Sequence, residues 1–329
     1  FHIPGRTING LKAARQKLLH ESTRYSRMFV WARNYFNTYA GAHVKKHIPQ
    51  LRLHFDMLGL VPEEEFYYSS SSYVLRLIKL FVLKVIESKN VSGSDSISVV
   101  SQRMRELLQN KYPGGLPVVC VIPCLYNEKQ FFVDESLREQ YRNKYHFMDE
   151  QKVIVYSGML QEWQKPDLIF SFIKKVQAQD NRNEFGYLIL TYDQEKAHLL
   201  VKKYGLKNVI IESASGEVLN GLYNAADIGL AFRSDDPVSY VSSPVKIPEY
   251  LATGNSLVTL EYIGDYGREL KDKNYVLVKH DPAELLGTRL IELRQLQKPS
   301  QKDLVESREK YSSHTNMGVI RNIIRGGNE

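Results

Sequence analysis

The sequence predicts two doubly wound α/β domains of Rossmann-like architecture, the N-terminal one incomplete. Three observations lead there. The chain has 329 residues, enough for two domains at roughly 150 residues each. From residue 152 onward, six short runs rich in β-branched residues alternate with helix-like segments, the signature of a parallel sheet covered on both faces. The first 125 residues repeat the rhythm with only four such runs, about half to two-thirds of a doubly wound sheet.

In the first domain the predicted strands are MFVWA (28–32), LRLHF (51–55), SISVV (96–100) and VVCVI (118–122), with helices over 34–47, 73–89 and 102–111. Segment 126–150 is polar and charged, and is expected to be a linker. The second domain, 151–281, carries strands at VIVYSG (153–158), YLILTY (187–192), NVIIES (208–213), DIGLAF (227–232), SLVTLE (256–261) and YVLVKH (275–280). Helices are expected between them, over 167–178, 194–204, 217–225, 244–253 and 264–272. Residues 282–329 read as helices that pack back on the N-terminal domain, closing in Gly326-Gly327.

Composition narrows the class. With 43% hydrophobic and 25% charged residues, disorder, collagen-like repeats and coiled coil are excluded. Cys120 and Cys124, four apart on a predicted strand, would stand about 13 Å apart, too far for a bridge or a shared metal. They read as reduced core residues of a cytoplasmic protein. The most apolar stretch, 73–86, is 14 residues long and contains Arg76, Lys79 and Lys84, so it is amphipathic or interfacial, not membrane-spanning. No signal peptide opens the sequence, which starts with Phe1 as if within a longer protein.

Charge is unevenly divided. Residues 1–120 hold 17 Lys and Arg against 8 Asp and Glu, and the remainder 27 against 29. Lys12, Arg15, Lys17, Arg24, Arg27, Lys45 and Lys46 cluster around the first strand. A solvated surface, attraction to an anionic membrane and nucleic-acid binding are the three readings. The last is set aside because no nucleic-acid motif accompanies the charge.

No G-x-G-x-x-G, P-loop, H-E-x-x-H or G-x-S-x-G motif is present, which argues against dinucleotide oxidoreductases, NTPases, zincins and α/β-hydrolases. His43 and His47 have helical ligand spacing, but Lys45 and Lys46 beside them repel a cation, so no metal site is expected. Two clusters fall at strand C-terminal ends, where open α/β sheets bind ligands. Ser157-Gly158 ends the first strand of the second domain, and Lys165 precedes a helix opened by Pro166 and Asp167. A glycine there admits a ligand to the backbone, and a lysine at a helix N-terminus makes an anion site; the alternative is a tight turn with a solvated lysine. In SSPVKIPEYLATG (242–254), Ser243 suits an N-cap and Pro244 a first turn, while Lys246 runs against the helix dipole. A cation beside free N–H groups suits an anion such as a diphosphate, and Glu249 on the same face could accept sugar hydroxyls; a Lys/Glu surface pair is the alternative.

The order YSG-x-L-x-x-W-x-K (156–165) followed by SSP-x-K-x-x-EYLA-x-G (242–254) resembles the nucleotide-sugar domain of family 4 retaining glycosyltransferases of the GT-B fold. The subgroup it most resembles builds bacterial capsule, O-antigen and exopolysaccharide chains. VWARN (30–34), FDMLGLVPEE (55–64), SISVVS (96–101) and VIPCLYNEKQF (121–131) resemble the family's N-terminal segments. The resemblance implies two Rossmann-like domains facing a cleft and metal-independent transfer of a sugar, with retention, from a UDP- or GDP-type donor to a glycan or lipid-linked acceptor. No cofactor is implied, and the enzyme would lie in the cytoplasm or on the inner face of the plasma membrane. By position, Gly158, Lys165, Ser243 and Lys246 would hold the diphosphate, with Ser242 beside them, and Glu249 would bind donor hydroxyls. The nucleoside would lie against 213–219, with Ser213 and Val218, near Thr191 and Tyr192. Arg33, Asn34, Asp56 and Ser101 would face the acceptor, with Arg33 and Asp56 near the transferred sugar. Met159, Val241 and Leu58 depart from the family pattern, so a catalytically weakened scaffold is kept as an alternative; a GT-B sugar-nucleotide epimerase is another, and it would need acid/base carboxylates or histidines in the cleft.

Overall fold

The computed structural model describes residues 8–325, apart from the side chains of residues 8–11 and 14. The closing Gly326-Gly327 pair lies outside them. Contacts divide the chain into two units. The first runs to Pro123 and adds 240–242 and the chain from Gly318 on; the second holds Cys124–Ser239 and Ser243–Met317.

In the first unit four strands, β1 (Met28–Arg33), β2 (Leu51–Met57), β3 (Ser96–Val99) and β4 (Val118–Val121), pair in parallel in sequential order. One sheet face is apolar. Leu51, Leu53, Phe55, Ile97 and Val99 are at most 1% exposed, as strands under a helical layer require. The helix Ile8–Ser22, not among the predicted elements, belongs to that layer and seats Leu18 against Val44, Ile48 and Leu51. The opposite face is polar and aromatic. Trp31 lies 4.1 Å from His54, whose ring nitrogens reach Ser96 Oγ at 2.8 Å and Ser98 Oγ at 2.9 Å. Burial holds the His54 imidazole down to about 4, because a charged ring has no water there.

The second unit is a six-stranded parallel sheet of β5 (Lys152–Ser157), β6 (Phe185–Leu190), β7 (Val209–Glu212), β8 (Ile228–Ala231), β9 (Ser256–Leu260) and β10 (Val276–Lys279). Its order is β10-β9-β8-β5-β6-β7. The order reverses between β5 and β8, where a doubly wound sheet opens a crevice at its strand C-termini. Every residue of β6, β8 and β9 is buried. This is why those runs read as continuous rather than alternating apolar sequence. Gly229 on β8 is dictated by packing, since a Cβ there would overlap the Tyr250 ring.

Segment 126–150 is not a linker. It carries the helix Glu135–Lys144 and belongs to the second unit. Arg138 donates to Asp227 at 2.7 Å and to the carbonyls of Asn224 and Ala226. Arg142, 4% exposed, pairs with the other Asp227 oxygen at 3.2 Å and caps the Ala225 and Gln151 carbonyls. Asp227 also accepts the Val153 N–H at 2.8 Å. The segment looked like a linker because scattered aromatics, Tyr126, Phe131, Tyr141 and Phe147, dock it together with these arginines, without the periodic stripe of an amphipathic helix. Residues 282–317 likewise belong to the second unit, through the helices Pro282–Leu286, Leu290–Gln295 and Gln301–Tyr311. The Tyr126 N–H donates to Tyr311 O at 2.9 Å, and the Ser313 N–H to Tyr126 O at 3.0 Å. Only the chain from Gly318, in the helix Met317–Arg325, groups with the first unit. Neither cysteine is in a disulfide, both are half-buried, and Cys124 lies beyond the end of β4 rather than on a strand shared with Cys120.

Candidate functional site

A cavity of about 530 Å³ opens at the C-terminal ends of β5, β6 and β7 in the second unit. Each strand contributes its first loop residues: Ser157, Gly158 and Met159 after β5, Thr191 and Tyr192 after β6, and Ala214, Ser215 and Gly216 after β7. Glu249 and Leu219 complete this wall, and the far side comes from 125–131, including Asn127, Gln130 and Phe131. That last wall was missed in the sequence because the segment read as a connection. Its only local signal was the polar pair Asn127 and Gln130 set among aromatics.

The β5 turn is tightly held. The Gly158 N–H donates to Leu190 O at 2.9 Å, the Ser157 N–H to the Tyr250 hydroxyl at 2.9 Å, and the Tyr156 hydroxyl to Met159 O at 2.9 Å. Asp193 Oδ2 takes the Leu160 N–H at 2.7 Å. Gly158 has φ 138°, and a Cβ there would stand 2.9 Å from Lys246 Nζ, so both backbone and space demand glycine.

Lys246 is the chemical centre of this region. It is 7% exposed, its ammonium sits 4.3 Å from the Tyr156 ring centroid, and it donates to Gln164 Oε1 at 3.0 Å. Burial first, and the Arg233 guanidinium second, hold its pKa well below the usual lysine range. One helical turn on, burial pushes the Glu249 carboxyl up to about 7, while Tyr223 donates to it at 3.3 Å. A lysine that resists its charge and a carboxyl half-protonated near neutrality are poised for an anion and a hydroxyl to arrive. Beneath them Tyr223 and Tyr250 pack edge-on at 5.0 Å, with Phe131 stacked on Tyr223 at 5.7 Å.

Other predicted residues are placed differently. The helix is Lys246–Ala252, and Ser243 does not cap it. Its buried hydroxyl accepts the Cys124 N–H at 3.0 Å and meets Tyr266 Oη at 3.0 Å, so it braces the chain instead of facing the cavity. Ser242 groups with the first unit. Lys165, in the left-handed region at φ 51°, joins the turn Glu162–Gln164, which contains Trp163, to the helix Pro166–Gln179. It is exposed and makes no ion pair with a described residue. Thr191 and Tyr192 line the cavity and Ser213 and Val218 do not; Ala214, Ser215, Gly216 and Leu219 take that wall. Because the helix Gly216–Ala225 begins at this wall, its first N–H groups open there, with the Ser215 hydroxyl not spent on capping.

In the first unit, Arg33 Nε donates to Asp56 Oδ2 at 3.0 Å, and Ser98 donates to Asp56 Oδ1 at 2.9 Å. Asn34, at φ 73°, caps the helix Tyr35–Lys45 by accepting the Asn37 N–H. Ser101 has no free role, since it accepts the Met104 N–H at 3.0 Å as an N-cap and donates to Val241 O at 2.7 Å. Among the described residues no group of three or more His, Cys, Asp or Glu side chains is placed to hold a metal ion.

Neither a family model nor a curated protein matches this sequence. Solved structures do match in fold. A sucrose-phosphate synthase from Thermosynechococcus elongatus superposes with TM-score 0.71 at 14% identity, covering 97% of this chain and 79% of that one. Anabaena HepE in complex with UDP and glucose gives TM-score 0.67 at 12% identity, covering 94% and 80%. A glycosyltransferase from Rickettsia africae gives TM-score 0.67 at 14% identity, covering 99% and 83%. At these identities the likeness carries the fold alone, and that fold, two parallel-sheet α/β domains, is the one of the GT-B glycosyltransferases.

Proposed function

We propose that the protein is a glycosyltransferase that moves a sugar, with retention and without a divalent metal, from a nucleoside diphosphate sugar to a hydroxyl of a glycan or lipid-linked acceptor. The observation that carries this reading is the Lys246 ammonium against Gly158, with Glu249 one turn away, Gly158 and Glu249 both lining the cavity at the ends of β5, β6 and β7. The fold likeness and the YSG and SSP-x-K motifs support it. As the anomeric C–O bond breaks, negative charge grows on the distal phosphate. Lys246, with Lys165 swinging in from its exposed turn, meets that charge. Glu249, near its midpoint at neutral pH, holds a donor sugar hydroxyl. The nucleoside lies between Thr191, Tyr192 and the start of the helix Gly216–Ala225. UDP is the first candidate, as HepE is in complex with UDP and glucose, and GDP the second. Assembly of cell-surface polysaccharide is the setting that the motif resemblance favours.

A catalytically weakened binding subunit is the second reading. It is favoured by Met159, 48% exposed at the cavity where the family pattern often has an arginine. Thermal shift with UDP, GDP and CMP, then donor hydrolysis and transfer, separates the two. A ligand at 100 times its Kd should add about 2.7 kcal/mol of stability. A shift with turnover supports the enzyme, a shift without turnover the subunit, and no shift with any nucleotide overturns both.

A further inference from the structure

The net charge of +7 comes from one short stretch. Residues 1–52 carry 10 Lys and Arg against a single acid, Glu21, while residues 53–329 are balanced at 34 against 36. Two of the ten are spent within the first unit, where Arg33 meets Asp56 at 3.0 Å and Lys45 meets Asp95 at 2.6 Å. Glu21 stands 3.9 Å from Arg24. Lys12, Arg15, Lys17, Arg24, Arg27, Lys46 and Arg52 are all exposed. Among the described residues Lys12, Arg15, Arg27, Lys46 and Arg52 make no ion pair. The fold gathers these groups at one end of the first sheet. Leu18 docks the helix Ile8–Ser22 on Val44, Ile48 and Leu51, which sets the turn after that helix beside residues 46–52. Gln50 ties the turn down: its side chain donates to Ser22 O at 2.9 Å, and its carbonyl accepts the Met28 N–H at 3.1 Å. Arg52 stands opposite Phe29 in the ladder of β1 and β2. Arg24, Arg27, Lys46 and Arg52 therefore surround the N-terminal ends of β1 and β2, the end away from Arg33 and Asp56.

Like charges gathered without acids repel one another, and an anionic partner relieves that cost. A second copy would bring the same excess to the contact and be repelled. Single-stranded nucleic acid needs a row of exposed rings among the cations for its bases to stack on. Here one ring serves, Tyr25, which is 57% exposed between Arg24 and Arg27. Phe36, the other exposed ring among the described residues before 53, lies in the first turn of the helix Tyr35–Lys45, at the far end of the strands. A lipid headgroup layer needs no such row. It responds to a cluster of about 4–8 Lys and Arg without any register, and it takes an isolated Tyr at the headgroup level, apolar ring inward and hydroxyl in water. We propose that the first unit docks on an anionic lipid surface by the N-terminal ends of β1 and β2, with Arg24, Arg27, Lys46 and Arg52 meeting the headgroup phosphates and Tyr25 set among them. None of these residues belongs to the donor site proposed above.

The test is co-sedimentation of the whole chain with phosphatidylcholine vesicles, with and without phosphatidylglycerol, with UDP binding measured on the same samples. The parent protein should partition onto the anionic vesicles, and less so as salt shortens the Debye length from about 10 Å to about 3 Å. One basic group near an anionic leaflet is worth about fivefold in partitioning. Arg24→Gln with Arg27→Gln and Lys46→Gln should therefore weaken binding by about 100-fold and leave the melting temperature and UDP binding unchanged. Lys174→Gln with Lys175→Gln and Lys202→Gln, at exposed lysines of the second unit, removes the same charge elsewhere and should bind as the parent does. Tyr25→Trp should shift its emission to the blue on anionic vesicles, as a ring does on leaving water. The proposal is overturned if the parent ignores anionic vesicles, if the two triple variants weaken binding equally, or if the Tyr25→Trp emission stays unmoved on bound protein. It is also overturned if the parent prefers a DNA duplex to the vesicles and the first triple variant loses that binding. Because UDP is read separately, loss of vesicle binding and failure of the donor site give distinct results.

Discussion

Replacing Lys246 by methionine should separate binding from stability. The protein holds this ammonium 7% exposed, over the Tyr156 ring and donating to Gln164 Oε1. Its pKa is held below the usual value. Below the unfolded lysine pKa the unfolded chain therefore binds more protons than the folded one, and the group costs stability at neutral pH. Methionine keeps the length and removes the charge. The variant should gain about 1–3 kcal/mol, the scale of burying an under-solvated polar group, less what Gln164 loses as its donor disappears. At about 2–4 °C per kcal/mol the melting temperature should rise, and the gain should shrink as pH approaches the unfolded lysine pKa. Against a diphosphate the same substitution removes a charge-assisted contact, about 1.5–3 kcal/mol, or about 10–150-fold in Kd. Undiminished UDP affinity would refute the assignment of Lys246 to the phosphate, and a fall in melting temperature would refute the account of its burial.

Three further outcomes are expected. Glu249, raised by burial to about 7, contributes stability below the unfolded carboxyl pKa that is lost as pH rises through about 7. Glu249→Gln should abolish that loss, about 2–3 kcal/mol at most for a group not fully buried, in chemical denaturation at acid and alkaline pH; parallel profiles would contradict it. Gly158→Ala should cost about 1–3 kcal/mol from the φ of 138° and should push the Lys246 ammonium aside, so that melting temperature and UDP affinity fall together. Asp227→Asn leaves Arg142 buried without its counter-charge and should lower stability by about 3–5 kcal/mol in urea; an unchanged midpoint would show that the docking of 126–150 does not depend on that charge.

All ten strands were legible as short apolar runs between turn and helix signals, most plainly β6, β8 and β9, which are buried on both faces. Gly158 and Lys246 were legible for a different reason. A glycine at a strand end and a lysine opposing a helix dipole are both local anomalies, and the structure places them against each other. Residues 126–150 were misread because docking by arginines and irregularly spaced aromatics has no periodic apolar signature, and the wall of Asn127, Gln130 and Phe131 was lost with them. Ser243 misled because a serine before Pro-x-Lys looks like a cap, whereas a distant N–H, that of Cys124, claims its hydroxyl. Ser213 and Val218 missed the wall by one residue each, since the side chains that reach it depend on where the helix Gly216–Ala225 begins.

The protein has two tryptophans, and the fold has given one to each unit. Trp31 rests on His54 in the first, and Trp163 sits in the second, beside Gln164, which accepts from Lys246. The molecule thus carries a built-in pair of optical reporters that need no label. Acid titration should dim the first as the imidazole beneath it becomes a cationic quencher near pH 4. In a Trp31→Phe background, the remaining emission belongs to the turn between Gly158 and Lys165, so donor binding can be followed in real time by light from the site itself.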